Sequence, residues 1–475
     1  MLIFKEGSMI AKIQRYCFIS LFFLLLSVRS YTFAPNTVVA TIGVGDTPNG
    51  LAVTPNNRFA YVANNNNDAI AGGNTVSVLN LATNTVLQTI SDPSFNQPYT
   101  VTINAAGTKA YVTNSYSTTI SIIDIATNTV TGIISGFDGP SGMVISPTNS
   151  SIAYVNNYGA DGDSGLATTV SVVDLSATPP HITHEITVDL APAALAITPD
   201  GAYVYVANYV DGNPGTGTVD VIQTSDNRVT TTITGFSGPF NIAMTPDGTK
   251  AYVTNFGSNN FSPIGTTVSV IDIGSNTISA TIPLGIQPAG IAITPDGHLA
   301  YATNYDTLYT DTTYTNLVAG PGTVNIIDIA TDMVISPTIM VGLSPDAVAI
   351  SSNGQYAYVS NYTSNTVSVI ALSDMPFQIF QITAQGCRTQ NVFLTQRDII
   401  NKLTWSGSGT LAPTSYSIYR DAALTDLVAT IPATGPLQFL DHNRQPNVIY
   451  TYYLIASDDI SPISNPVAIT VTQNC

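Results

Sequence analysis

The chain has 475 residues, 44% hydrophobic and only 9% charged, with 13 Lys and Arg against 30 Asp and Glu for a net charge of −17. That length allows two or three ordinary domains or one large repeat domain with an appendage. The acidic balance excludes a phosphate-backbone partner on electrostatic grounds and offers anionic lipid no basic patch, while it suits divalent cations.

The first segment reads as a secretion signal. Lys5, Lys12 and Arg15 accompany an apolar run, residues 16–28, that is too short to span a bilayer comfortably. Residues 1–34 form this segment, with cleavage expected after Ser30 or after Ala34; an uncleaved anchor is the alternative. Cys17 opens the apolar run and is not placed for lipid attachment. Cleavage after Ser30 removes Lys5, Lys12, Arg15, Arg29 and Glu6, leaving 9 basic and 29 acidic residues, a net charge of −20, and no membrane span in the mature chain. The expected location is periplasmic, cell-surface or secreted.

From residue 35 to residue 375 one phrase recurs: YVAN, YVTN, YVNN, YVAN, YVTN, YATN and YVSN. Its tyrosines are Tyr61, Tyr111, Tyr154, Tyr205, Tyr252, Tyr301 and Tyr358, spaced 50, 43, 51, 47, 49 and 57 residues apart. Each repeat carries four β-patterned pieces. The fifth shows them clearly: "NIAMTP" (241–246), the turn "PDG", "AYVTN" (251–255), "TTVSVIDI" (266–273), the turn "GSNT", then "ISATI" (278–282). Pro presets φ and Gly supplies a positive one, so PDG specifies a tight turn. No segment has a helical period.

Four antiparallel strands repeated seven times at this period predict a seven-bladed β-propeller. "NTVVATI" (36–42) copies the fourth strand but precedes the first repeat, and the seventh repeat stops after its third strand. The N-terminal copy is therefore expected to supply the outer strand of the last blade and close the ring. The repeats resemble the YVTN-type β-propeller proteins, a group that includes exported and cell-surface proteins and is related to lactonase-like propeller enzymes. The resemblance implies architecture. No catalytic residue of those enzymes matches a position here.

Residues 376–475 change pattern. Short β-patterned pieces surround the only tryptophan, Trp405, and predict a small β-sandwich. The arrangement is similar to a fibronectin type III domain, with Trp405 on the second strand and "YTYYLIASD" (450–458) as the sixth. Cys387 and Cys475 both lie here, and export permits a disulfide. In a domain of that resemblance a Cys387–Cys475 bridge is geometrically possible; two separate thiols are the alternative.

Candidate sites follow from the propeller geometry. The loop after each motif Asn and the connection into the next blade should open on one face. Several of these loops carry insertions, the longest being 305–322. An aromatic residue follows the Asn in five repeats: Tyr158, Tyr209, Phe256, Tyr305 and Tyr362. With Tyr309 and Tyr314 of the longest insertion, Tyr158, Tyr209, Phe256 and Tyr305 are the candidate ligand contacts, since flat rings stack on sugars or peptides; packing beneath the loops is the competing reading. Asp46, Asp138, Asp161, Asp163 and Asp211 are candidate oxygen ligands for Ca²⁺ on flexible loops. Asp92, Asp189 and Asp346 join them in the connections. "HITHE" (181–185) puts its two His on opposite faces of a strand, which argues against a metal site. The motif Asn residues and the recurring Asp124, Asp174, Asp272 and Asp328 read as turn fasteners.

The inner strands, read as "LAVT" through "VAIS", carry no charge, and the propeller holds four basic residues, three His and one Glu. Acid–base and anion-stabilising chemistry is thus poorly supplied. The expected function is an exported, non-enzymatic binding, adhesion or scaffold protein using the loop face, with a carbohydrate or protein ligand at the cell surface and no nucleic acid. The alternative is a metal-dependent lactonase-like hydrolase or lyase with its site at the channel mouth.

Overall fold

A computed structural model describes residues 36–475 except 67–73, 160–166, 211–215, 258–263, 310–316, 320–321, 373–380, 394–395, 409–414, 422–425, 435–436, 443–447, 458–466 and 472–475; at 307–309, 317–319, 336, 381–393, 396–399, 407–408, 457 and 467 only the backbone is described. The fold is all-β: a seven-bladed propeller followed by a small β-sandwich. Seven four-stranded antiparallel sheets form the blades, at 48–91, 98–135, 140–187, 192–236, 239–283, 288–340, and 345–371 completed by Thr37–Gly43. In blade 2 the strands run Pro98–Ile103 innermost, then Lys109–Asn114, Thr119–Asp124 and Thr129–Ser135 outermost. Each inner strand packs on the next, and that of blade 7 packs on that of blade 1, so the ring closes.

Closure is made by the N-terminal strand. Thr37–Gly43 pairs antiparallel with Thr366–Ala371 as the fourth strand of blade 7. Asn36, at φ 59°, stands where the other blades place the left-handed residue of the turn into the outer strand, such as Asn128 at φ 53° and Asn276 at φ 53°. A strand taken from the other end of the chain thus removes the open edge that a three-stranded last blade would present.

The repeated phrase is explained letter by letter. The tyrosine rings are buried between blades. Four hydroxyls donate to the left-handed residue of the following blade within the continuous run of repeats: Tyr61 to Asn128 Oδ1 at 2.5 Å, Tyr154 to Asn227 at 3.0 Å, Tyr205 to Asn276 at 2.5 Å, and Tyr252 to Asp332, whereas Tyr358 makes no such bond to Asn84 among the described residues. Tyr301 of blade 6 donates to Asn36 at 2.6 Å, so the staple also crosses the point where the two chain ends meet. The motif valines fill the apolar interfaces between blades, Val112 among them. The hydroxyl of a motif threonine links two inner strands. Thr254 accepts the Asn241 N–H at 3.0 Å, at the bulge that follows Pro239, and donates to the Ala289 carbonyl of the next blade at 2.7 Å. The motif asparagine spans to the third strand. Asn64 Nδ2 donates to Thr75 and Ser77 at 2.9 Å each, and the other six make the equivalent pair.

The recurring aspartates fasten the outer turns as expected. Asp272 Oδ1 accepts the Ser275 N–H and Oγ–H at 2.8 and 2.7 Å, which holds its carboxyl below the usual range. The PDG turns use the same device: Thr294 Oγ1 donates to Asp296 at 2.5 Å and accepts the Leu299 N–H at 3.0 Å.

In the C-terminal sandwich, a three-stranded sheet of Gln381–Phe393, Gln396–Ser408 and Gln438–Asp441 faces a four-stranded one of Leu427–Pro432, Ser415–Tyr419, Tyr450–Ser457 and Val467–Val471. Trp405 from the first sheet packs on Tyr416 of the second, ring centroids 5.5 Å apart, within one shared apolar cluster. Tyr452 is buried between them; its hydroxyl donates to Asp441 at 2.5 Å and accepts from Asn401 at 2.9 Å. The side chain of Cys387 and all of Cys475 lie outside the described residues.

The staple is testable. Tyr205→Phe should lower propeller stability by about 1 kcal/mol, the net worth of one hydrogen bond. Tyr111 makes no hydroxyl bond among the described residues, because blade 3 makes its turn with "SATPPH" (176–181) in place of the Asn turn. Tyr111→Phe should therefore change stability by under ~0.5 kcal/mol. Urea unfolding of the two variants against wild type decides it, and equal losses would contradict the staple.

Candidate ligand site at the channel mouth

Every inner strand begins with proline, and the residue before it is left-handed: Thr47, Gln97, Gly139, Ala191, Gly238, Gln287 and Ser344, at φ between 45° and 58°. These carbonyls accept the N–H of the residue after the motif Asn, for example Tyr209 to Ala191 at 2.8 Å and Tyr305 to Gln287 at 2.9 Å. Motif loop and blade connection are thus tied together on one face, as the sequence predicts. Non-glycine residues at positive φ are strained by about 1 kcal/mol or more, and such strain gathers at functional rims.

The next position, just after the proline, is where the blades differ most: Asn49, Tyr99, Ser141, Ala193, Phe240, Ala289 and Asp346. Tyr99, Ser141, Ala193, Phe240 and Asp346 line one cavity of about 200 Å³ in the channel. Outside it runs a chain of rings. Tyr209 meets Phe240 at 6.2 Å, Phe240 meets Phe256 at 5.1 Å, Phe256 meets Tyr305 at 5.9 Å, and Tyr305 meets Tyr362 at 6.2 Å.

The candidate ligand residues distribute unevenly over this collar. Tyr209 and Phe256 are buried, at 3% and 7% exposure, and Tyr209 donates its hydroxyl to the Gly257 carbonyl at 2.7 Å. Tyr158 and Tyr305 are half-buried and pack against them. The side chain of Tyr309 and all of Tyr314 lie outside the described residues; Tyr309 belongs to a short hairpin, Thr307–Tyr309 with Leu317–Ala319, inserted in blade 6. Of the candidate calcium ligands, Asp161, Asp163 and Asp211 also lie outside. Asp138 is exposed, and Asp46 accepts the Asn365 Nδ2–H at 2.7 Å. No group of three or more His, Cys, Asp or Glu residues comes together among the described residues.

Asp346 differs from the other carboxylates of this face. Asp92 accepts the Ser94 N–H at 2.9 Å, and Asp189 accepts the Thr218 hydroxyl at 2.9 Å. Asp306 accepts the Thr323 hydroxyl at 3.0 Å and the Ile286 N–H at 3.3 Å. The Asp346 carboxylate has no donor among the described residues. It is enclosed by protein yet still reached by solvent along the channel, and burial pushes its carboxyl up to about 7. Burial also raises the Tyr99 phenol well above its ordinary value, with the Asp346 charge and the phenols of Tyr158, Tyr305 and Tyr362 adding to it. The strand holding Asp346, Pro345–Ile350, starts earlier than the sequence reading places it, so the inner strands do carry a charge. Pro345 pairs with Asn361, and the bulge after it brings Asp346 into the sheet.

No family model matches the chain. A segment of 59 residues is 44% identical to the PE-PGRS family protein PE_PGRS18 of Mycobacterium tuberculosis (strain ATCC 25618 / H37Rv), and the match spans 12% of this chain and 13% of that protein. Hydrazine synthase of Kuenenia stuttgartiensis is similar in structure, with a TM-score of 0.57 and 22% identity over 70% of this chain and 97% of that chain. This likeness shows the propeller fold. No helix among the described residues is long and apolar enough to cross a membrane.

The Asp346 carboxyl predicts a stability profile of unusual sign. Its folded value lies above the ordinary 3.8, so the native state holds a proton that the unfolded chain releases between about pH 4 and 7. Stability from this group is intact below that window, falls as pH rises through it, and is lost above about 7. Asp346→Asn should therefore stabilise the propeller at pH 8 by about 1–3 kcal/mol, below the ~4 kcal/mol of a three-unit shift because water reaches the group. At pH 3.5 it should be neutral. Urea unfolding at the two pH values measures both.

Proposed function

We propose that this chain is an exported, non-enzymatic binding protein of the YVTN-repeat propeller type, with a fibronectin type III-like appendage, that engages a carbohydrate or protein ligand at the cell surface through its loop face. The observation carrying this reading is the channel mouth: a cavity walled by rings, bounded by an aromatic collar, on the face where the inserted loops emerge. Such a concave site, lined by both aromatic and polar side chains, suits ligand binding. The two sheets of the sandwich, three strands and four, and its buried Trp405 support the fibronectin type III reading of the appendage.

One observation favours the enzymatic alternative. A carboxyl poised near neutrality in a cavity suits proton transfer. In that reading Asp346 would be the base of a lactonase-like hydrolase or lyase, and metal ligands would have to come partly from Asp161, Asp163 and Asp211.

Residues 35–475 applied to glycan and peptide arrays, with and without Ca²⁺, test the proposal. Binding to a defined ligand class, weakened at least ~10-fold by Tyr305→Ala, is the expected outcome for a stacking contact at a hot spot. Absence of binding on both arrays, together with turnover of lactones that is lost in Asp346→Asn, would replace it with the enzyme.

A further inference from the structure

The residue after the inner-strand proline places three large or charged groups around one opening: Tyr99 from blade 2, Phe240 from blade 5 and Asp346 from blade 7. In a ring of seven these are separated by three, two and two blades, close to an even tripod. The positions between them are Asn49, Ser141, Ala193 and Ala289, all uncharged and smaller than the two rings. Two aromatic side chains and one carboxylate therefore line a shared space.

Most of the other polar atoms of that space are already used. Thr100 donates to the Ser141 carbonyl at 2.5 Å, and Thr102 donates to the Met143 carbonyl at 2.7 Å. Ser141 Oγ accepts from Asn156 at 2.5 Å, and Asn241 Oδ1 accepts the Ile242 N–H at 2.8 Å. A polyol entering here would find few free partners. A hard metal ion, which needs six or more oxygens, would find one carboxylate. No protein cation serves as counter-ion to Asp346 among the described residues. Lys250 pairs with Asp332 at 2.7 Å, and Arg58 stands over the Phe59 ring at 5.5 Å. Arg58, Lys109 and Lys250 stand at or just before the start of second strands, at the end opposite the motif Asn.

Building on the reading of this face as a binding surface, we propose that the channel mouth binds a small protonated amine, held by the Asp346 carboxylate against the faces of Tyr99 and Phe240. An ammonium group needs one desolvated carboxylate and gains from aromatic faces, which is what the tripod supplies. The cavity of about 200 Å³ is many times the ~10–15 Å³ that one water needs, enough for an alkylammonium head and a short stem. Burial holds the empty site's carboxyl near neutrality; an entering ammonium would draw its proton off, so binding should strengthen with rising pH.

The experiment is a calorimetric titration of residues 35–475 with n-butylammonium, with n-butanol and butyrate as neutral and anionic isosteres. Saturable binding of n-butylammonium alone is expected, weakened about 10-fold or more by Asp346→Asn and about 3-fold by Phe240→Leu. Affinity should fall about 10-fold per unit as pH drops below the carboxyl's titration. Nα-acetyl-lysine methylamide separates the sources: equal affinity points to a lysine side chain of a partner, and binding of n-butylammonium only points to a free amine. The inference falls if n-butylammonium binds no better than n-butanol, or if folded Asp346→Asn binds it as wild type does. Ligand capture on the arrays alongside that failure would leave the broader binding reading standing.

Discussion

A propeller must close. The strand Thr37–Gly43 completes blade 7, and the hydroxyl of Tyr301 finds Asn36 as other motif tyrosines find the outer turn of their neighbour. Everything else in the ring depends on this join, because seven wedges that stopped short would leave an unpaired edge and a split core. The apolar clusters lie between consecutive blades, including one shared by blades 7 and 1, so no blade owns its core.

Closure by near-identical wedges explains why one uncharged phrase is written seven times. Tyr ties a blade to its neighbour's outer turn, Val fills the interface, Thr bonds the inner strands and Asn ties the second strand to the third. These are geometric duties that tolerate little change. The residue after the inner-strand proline has a different status. Where a motif threonine reaches it, the bond goes to its backbone carbonyl, as with Thr303 and Asp346. The backbone carries the fold at that position, so the side chain can change from blade to blade. That is a physical reason why Tyr, Phe and Asp are admitted there, and why a variable register of the ring is also its candidate site.

The repeat, the four-stranded blade and the closing strand were legible in the sequence, since turn chemistry and alternation recur together and the fourth-strand copy stands alone at the start. The outer-turn aspartates were legible too, because their partners are local. The motif Asn was harder. Its donors reach Thr and Ser side chains of the third strand, which share a face only because that strand alternates with a period of two. The channel residues were hidden for another reason. Reading the inner strands from their apolar stretch, "VAIS" in blade 7, starts after Asp346 and drops it into the connection. Aligning the repeats on the proline would have exposed Tyr99, Phe240 and Asp346 in one column. What no pattern could show is that Asp346 lacks a donor such as the Thr218 hydroxyl that Asp189 receives, because that donor comes from a distant strand.

Ring geometry holds the Asp346 carboxyl enclosed at the channel mouth, with no donor among the described residues. The most direct measurement is the pH titration of its side-chain ¹³C resonance, assigned by its loss in Asp346→Asn. A midpoint at about 7 is predicted. A midpoint near the ordinary 3.8 would contradict the account, since it would mean that the carboxylate is solvated or already paired.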